Sequence, residues 1–174
     1  MFPILHTERL VLRELTENDA QAILSCFSNP DVLRHYGQKP LTSLEQVKQI
    51  IQNFSTNFKE KRGIKWGISV QGQEEIIGTI GFQDWSVEHK KADISYALFP
   101  NSWGQGYAKE AVGKVISYGI QEMNLVRIGA IVFTENEASN KLLEALGFEK
   151  EGVLRNFMHQ NNMPYDTNVY SFIK

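Results

Sequence analysis

The amino-acid sequence predicts an α/β (α+β) domain built on a mixed sheet, and three features carry that expectation. Residues 64–99 hold successive runs of strand-like alternation, residues 44–62 and 108–124 each carry a helical apolar stripe, and a glycine-containing segment at 100–110 joins the last of those strands to the second helix. The order is strand, two helices, three strands, helix, strand, helix, two strands: about seven strands and about four helices.

Arg9-Leu-Val-Leu-Arg-Glu14 alternates as a strand does. Thr16, with Asp19 three residues later, starts a helix carrying Ala20, Ile23, Leu24 and Phe27, and Asn29-Pro30 ends it. After a turn at Gly37 to Pro40, Leu44, Val47, Ile50, Ile51, Phe54 and Phe58 mark a longer helix running to about Arg62. Ile64 to Val70 and Ile76 to Trp85 flank Gln71-Gly72-Gln73 as an antiparallel hairpin. Ala92 to Phe99 follows, with Ile94, Tyr96 and Leu98 on one face and Asp93, Ser95 and Ala97 on the other. The period then changes: Ala108, Ala111, Val112, Val115, Ile116 and Gly119 stripe a helix ending near Asn124. A strand at Arg127 to Phe133 precedes a short helix that Thr134 and Glu137 cap and Gly147 ends, and strands at about 148–157 and 165–173 close the chain. No repeat, linker or low-complexity stretch interrupts this order, so residues 1–174 read as one domain.

Composition narrows the function classes. With 42% hydrophobic and 22% charged residues, the chain can bury a core without staples. Cys26 is the only cysteine, so no internal disulfide forms, and no metal site of the usual spacing assembles from it and His6, His35, His89 and His159. A reducing cytoplasm is the expected setting. The N-terminus lacks the pattern of an export signal, and no segment approaches the roughly 20 apolar residues of a membrane span. A net charge of −2 provides no electrostatic footprint for nucleic acid.

The segment Pro100-Asn-Ser-Trp-Gly-Gln-Gly-Tyr-Ala-Lys-Glu110 places Gly104, Gly106 and Ala108 between a strand and a helix start. Free N–H groups from Gln105 to Lys109 and the positive end of the helix dipole suit a phosphate group, although a plain tight turn before a helix uses the same residues. The Gly-Lys-Ser/Thr ending of a P-loop and the Gly-x-Gly-x-x-Gly spacing of a dinucleotide fold are both missing, which disfavours ATP and NAD.

The same segment resembles the acetyl-CoA loop of the GNAT acetyltransferase superfamily, in which Gln or Arg, two residues, Gly, one residue, and Gly or Ala follow in order. Gly106 and Ala108 fill the small positions, and Trp103 stands where Gln or Arg is usual. In this it is similar to the branch that acetylates ribosomal-protein α-amines, a likeness continued by Thr7 to Arg13, Ile77 to Gly81, Asn136 to Asn140, Gly147-Phe148 and Tyr165-Asp166. The resemblance implies the GNAT fold, with a mostly antiparallel mixed sheet, and acetyl-CoA as co-substrate without a metal. The acceptor it implies is a primary amine, above all a protein N-terminus; small amines such as polyamines, amino acids or aminoglycosides are the alternative, and a non-catalytic acyl-CoA sensor is a further one. The chain would act as a monomer or homodimer.

By the same resemblance, Ala97, Leu98 and Phe99 pair with the pantetheine arm, Gly104, Gln105, Gly106, Tyr107, Ala108 and Lys109 hold the pyrophosphate, and Asn136 and Asn140 meet the thioester end. Asn136 serves equally well as a plain helix cap. The reaction implied is direct attack of a neutral amine on the thioester, with the Leu98 N–H facing the oxyanion and Ser139 protonating the departing thiolate. Leu143 stands where polyamine acetyltransferases of similar look carry a tyrosine, which argues against a polyamine. A peptide α-amine titrates near ~7.7–8.0, against ~10.4 for lysine, so it needs little help from a base. Asp93 is the first candidate for that base, with Asp84 and Glu88 beside it, and each is equally a solvated acid near a strand end. Tyr96, Tyr107, Trp85 and Trp103 either line the acceptor groove or pack in the core, and Cys26 reads as inert packing.

Overall fold

The computed structural model describes residues 1–174 and contains an 8-stranded sheet. In chain order the strands are β1 (Leu5–His6), β2 (Leu10–Glu14), β3 (Ile64–Val70), β4 (Ile76–Ser86), β5 (Lys91–Leu98), β6 (Arg127–Phe133), β7 (Glu149–Gln160) and β8 (Met163–Ile173). The helices are α1 (Ala20–Cys26), α2 (Pro30–Leu33), α3 (Leu44–Lys59), α4 (Tyr107–Gln121) and α5 (Glu137–Ala145). The sheet runs β1-β2-β3-β4-β5-β6-β8-β7, antiparallel throughout except where β5 meets β6.

That single parallel contact positions the site. It joins only Lys91–Asp93 to Arg127–Gly129, and no pairing links Ile94–Leu98 to Ala130–Phe133. Gly129 makes the junction possible, because a Cβ there would lie 2.3 Å from Asp93 Oδ1. Past it the strands part and leave a wedge in the middle of the sheet.

Each face of the sheet is sealed by helices. Val112 and Val115 of α4 and Leu143 of α5 pack with Trp66, Ile80 and Ile128 on one side, and Ile23 of α1 with Val47 and Ile51 of α3 cover Ile76 and Ala97 on the other. Burying each of these valine, leucine and isoleucine side chains fully contributes about 1.5–3 kcal/mol. The apolar spacing is what fixes which face each helix turns inward.

Several boundaries depart from the sequence expectation. Asn29-Pro30 does more than end α1: the Asn29 side chain accepts from the Asp31 N–H and Pro30 takes the first helical position, where a missing N–H costs nothing, so α2 begins there. Asn136, not Thr134, caps α5. The expected Thr16–Asp19 capping box is present. The last two strands run further than expected and meet at a two-residue turn, Asn161 and Asn162 at φ 53° and 61°, the left-handed pair that a tight hairpin requires. β1 was not expected; two residues carry no readable period.

Candidate active site

The floor of the site is the loop entering α4. Gly104 and Gly106 take φ of 73° and 79°, left-handed values that side chains resist. Every backbone N–H from Gly104 to Lys109 lacks a hydrogen-bond partner in the protein. Together with the dipole of α4, this row of donors suits an anionic group of the phosphate type.

The loop is braced from both sides. Arg9 Nη1 donates to the Gln105 carbonyl (2.8 Å) and Arg9 Nε to Glu110 (2.7 Å), while the Arg9 guanidinium lies 4.6 Å from the centre of the Tyr107 ring. Glu110 also accepts from the Arg9 N–H and the Thr7 hydroxyl. Desolvation opposes its ionisation, but these bonds outweigh that and hold its carboxyl below the ordinary value. On the other side, Trp103 Nε1 donates to the Leu98 carbonyl at 2.9 Å. Trp103 thus ties the loop to β5, a structural use for the residue that departs from the usual Gln or Arg.

β5 and α5 form the walls. The Phe99 N–H bonds back to Ile77 on β4, so by antiparallel alternation the N–H and C=O of Leu98 face the wedge. Asn136 Oδ1 accepts from the Ser139 N–H (3.3 Å), which fixes the first turn of α5, and the Tyr96 hydroxyl reaches Ser139 Oγ at 3.2 Å. Burial raises the Tyr96 phenol, so it stays protonated and able to donate.

A cleft of ≈ 610 Å³ runs along these groups. Of the residues expected to hold the cofactor, Ala97, Leu98, Gly104, Gly106, Tyr107, Ala108, Lys109 and Asn136 line it, as does Ser139. Phe99, Gln105 and Asn140 do not. Phe99 packs beside the core under α1 and α3, and Gln105 turns its side chain to the Asn101 carbonyl. Asn140 is spent on the protein: its amide donates to the Phe133 and Asn136 carbonyls (3.1 and 2.7 Å) and accepts from Asn168 and Tyr170 (both 2.8 Å). The Asn140 side chain thus forms a bolt between α5, β6 and β8.

A second cavity of ≈ 650 Å³ opens through the wedge from the α1/α3 side. His35, Tyr36, Tyr96, Asn136 and Ser139 line both spaces, so the two meet at the Tyr96–Ser139 contact. Asp93 and Asp84 line only the second, and Glu88 neither. Burial, then the Asp84 charge, raises the Asp93 carboxyl. Trp85 also lines neither space. Phe157 and Met158 of β7 line the second cavity as its roof, and Gln160 holds that roof in place by donating to the Leu33 carbonyl and accepting from the Gly37 N–H, which draws the β7–β8 hairpin onto the loop after α2.

Sequence reasoning missed His35, Tyr36, Thr79 and Lys65 as lining residues. For Lys65 a signal was present, a lone cation between Ile64 and Trp66 in an apolar strand; burial lowers its ammonium to about 8. No group of three or more His, Cys, Asp or Glu side chains gathers to hold a metal, and no helix is long and apolar enough to cross a membrane. Cys26 lies buried in α1, its thiol pushed up to about 12 by burial.

Comparison with known proteins identifies the family and the fold. The family model for the acetyltransferase (GNAT) domain matches residues 9–149. The uncharacterized N-acetyltransferase YoaA of Bacillus subtilis is 53% identical over 174 residues, covering 100% of this chain and 98% of that protein. Among solved structures, RimL, a ribosomal L7/L12 α-N-protein acetyltransferase in complex with coenzyme A, superposes with a TM-score of 0.88 at 22% identity, covering 98% of each chain. A spermidine N-acetyltransferase from Vibrio cholerae, in complex with CoA and spermine, gives 0.86 at 20% identity and 96% coverage of each. The chain belongs to the GNAT family and is an N-acetyltransferase.

Proposed function

We propose that the chain transfers the acetyl group of acetyl-CoA to the α-amine at a protein or peptide N-terminus, by direct attack in a ternary complex. The observation that carries this reading is the meeting of two cavities at Tyr96 and Ser139, one floored by the free N–H groups of 104–109 and the other open to an acceptor. Two bound substrates held on either side of the wedge gain the proximity that such a transfer needs.

The loop from Gly104 to Lys109 holds the pyrophosphate of acetyl-CoA, which supplies the activated acyl group. The Leu98 N–H faces the carbonyl oxygen and stabilises the charge that develops there. The Ser139 hydroxyl accepts from Tyr96, which leaves its own proton free for the departing sulfur. Of the proton acceptors for the amine, His35 stands at the junction with an unpartnered, buried Nδ1, and burial lowers its imidazole toward the neutral form. Asp93 lies deeper on the acceptor side and would act through water.

The Gln160 roof favours a second reading, a small amine acceptor, since a folded protein must part the roof or thread its N-terminus beneath it. Thiol release from acetyl-CoA is the test, run with short peptides, polyamines, amino acids and aminoglycosides and with products located by mass spectrometry. N-terminal acetylation of peptides is the expected result. Product confined to polyamines or aminoglycosides would overturn the acceptor assignment, and acetyl-CoA binding without turnover on any amine would point to a sensor.

A further inference from the structure

The acceptor-side cavity, which Asp84 and Asp93 also line, contains a cation that is paired with neither of them. Lys65 Nζ donates to Ser95 Oγ at 3.0 Å, and no carboxylate forms an ion pair with it. Lys65, Gly81 and Ser95 occupy one register row across β3, β4 and β5. Glycine is required in the middle first by the backbone of β3, since a Cβ at Gly81 would come 2.1 Å from the Ile64 carbonyl oxygen, and it would also come 2.9 Å from Lys65 Cδ. The lysine therefore lies over Gly81 and brings its ammonium to the cavity.

A second polar group there is also unanswered. Thr79 stands two residues from Gly81 on β4, hence on the same face, is 2% exposed, and its buried hydroxyl has no partner. A desolvated ammonium without an ion-pair partner and a buried hydroxyl without a bond are both costly, and one anion answers both.

Resting on the acetyltransfer reading above, we propose that Lys65, with the hydroxyls of Ser95 and Thr79, forms a subsite for a carboxylate borne by the amine acceptor. Ser95 is three residues from Leu98 along β5, about 10 Å at ~3.3 Å per residue. The α-carboxylate of a free amino acid is too near its amine to span that distance. The free C-terminus of a dipeptide, or an acidic side chain at the second position of a longer N-terminus, has the reach, since two extended residues cover ~7 Å and the hydrogen bond to the carboxylate adds ~3 Å.

The test compares matched acceptors on the whole protein: serylalanine against its amide, and a hexapeptide with glutamate at its second position against the glutamine peptide. The carboxylate member of at least one pair is expected to show a kcat/KM higher by ~10-fold or more, as expected of a charge-assisted bond. The responding pair identifies the source of the carboxylate. Lys65→Met brings the two members together by raising KM for the anionic one, and Lys65→Arg keeps them apart. Equal kcat/KM within both pairs, or an undiminished preference in Lys65→Met, overturns the subsite. Should no amine be turned over, the acetyltransfer reading fails, and thermal stabilisation by the same pairs decides the subsite separately: stabilisation specific to the carboxylate member and lost in Lys65→Met sustains it, and no difference overturns it.

Discussion

The Tyr96 hydroxyl, on β5, donates to Ser139 Oγ, on α5, at 3.2 Å across the wedge where the two cavities meet. The bond orients the serine so that its own proton points away from the tyrosine. Ser139→Ala is expected to lower turnover by ~10²-fold or more with acetyl-CoA affinity unchanged. Tyr96→Phe removes only the orienting group and should cost about 10-fold, and because the two act as a unit the double variant should be no slower than Ser139→Ala. Multiplying losses in the double variant would separate the two residues, and unchanged turnover in Ser139→Ala would remove the serine from the reaction.

Gly106 carries two constraints at once, a φ of 79° and the approach of Arg9, whose Nη2 would lie 3.3 Å from an added Cβ. Gly106→Val should therefore shift both the loop and its brace, and raise the Kd for acetyl-CoA by ~10-fold or more, since the row of N–H donors would no longer point at one place. Calorimetric titration with acetyl-CoA measures it. Wild-type affinity in this variant would displace the phosphate group from the loop.

Much of this architecture is legible in the sequence because it is local. The alternation of β3 to β5, the stripe of α4 and the positive-φ glycines before it all depend on near neighbours, and the family motifs fall on those same elements. What escapes is decided by contacts between distant residues. Thr134 and Asn136 both offer an oxygen to cap α5, and Asn136 is the one whose Oδ1 meets the Ser139 N–H. Asn140 is indistinguishable by spacing from a ligand-facing residue until Asn168 and Tyr170 arrive from β8. Lys65 becomes part of a cavity only when three strands align it over Gly81.

Asn140 should accordingly be a stability residue. Its replacement by alanine strands the Asn168 amide in a part-buried setting and leaves the Tyr170 hydroxyl with Glu144 alone, so Asn140→Ala is expected to destabilise by about 1–3 kcal/mol. For a chain of this size, that corresponds to a fall in Tm of roughly 2–4 °C per kcal/mol. Acetyl-CoA affinity, measured well below that Tm, should stay within about 2-fold of wild type. A stable variant with weakened cofactor binding would reverse the assignment.

Asp19 supplies a pH-dependent part of the stability. Burial works to raise its carboxyl, since its side chain is 6% exposed, but Arg13 donates to both oxygens (2.9 Å each) and the Thr16 N–H to one (2.8 Å), and these bonds hold it below its ordinary value of 3.8. A carboxyl depressed on folding contributes in full above the unfolded pKa and loses that contribution as pH falls through the folded one. Asp19→Asn should thus cost about 1–3 kcal/mol at neutral pH, and the gap to wild type should narrow as pH falls below 3.8. Denaturant titrations of both proteins at neutral and acid pH provide the comparison. A gap that stayed constant with pH would mean that shape and hydrogen bonding, rather than the charge on Asp19, secure the start of α1.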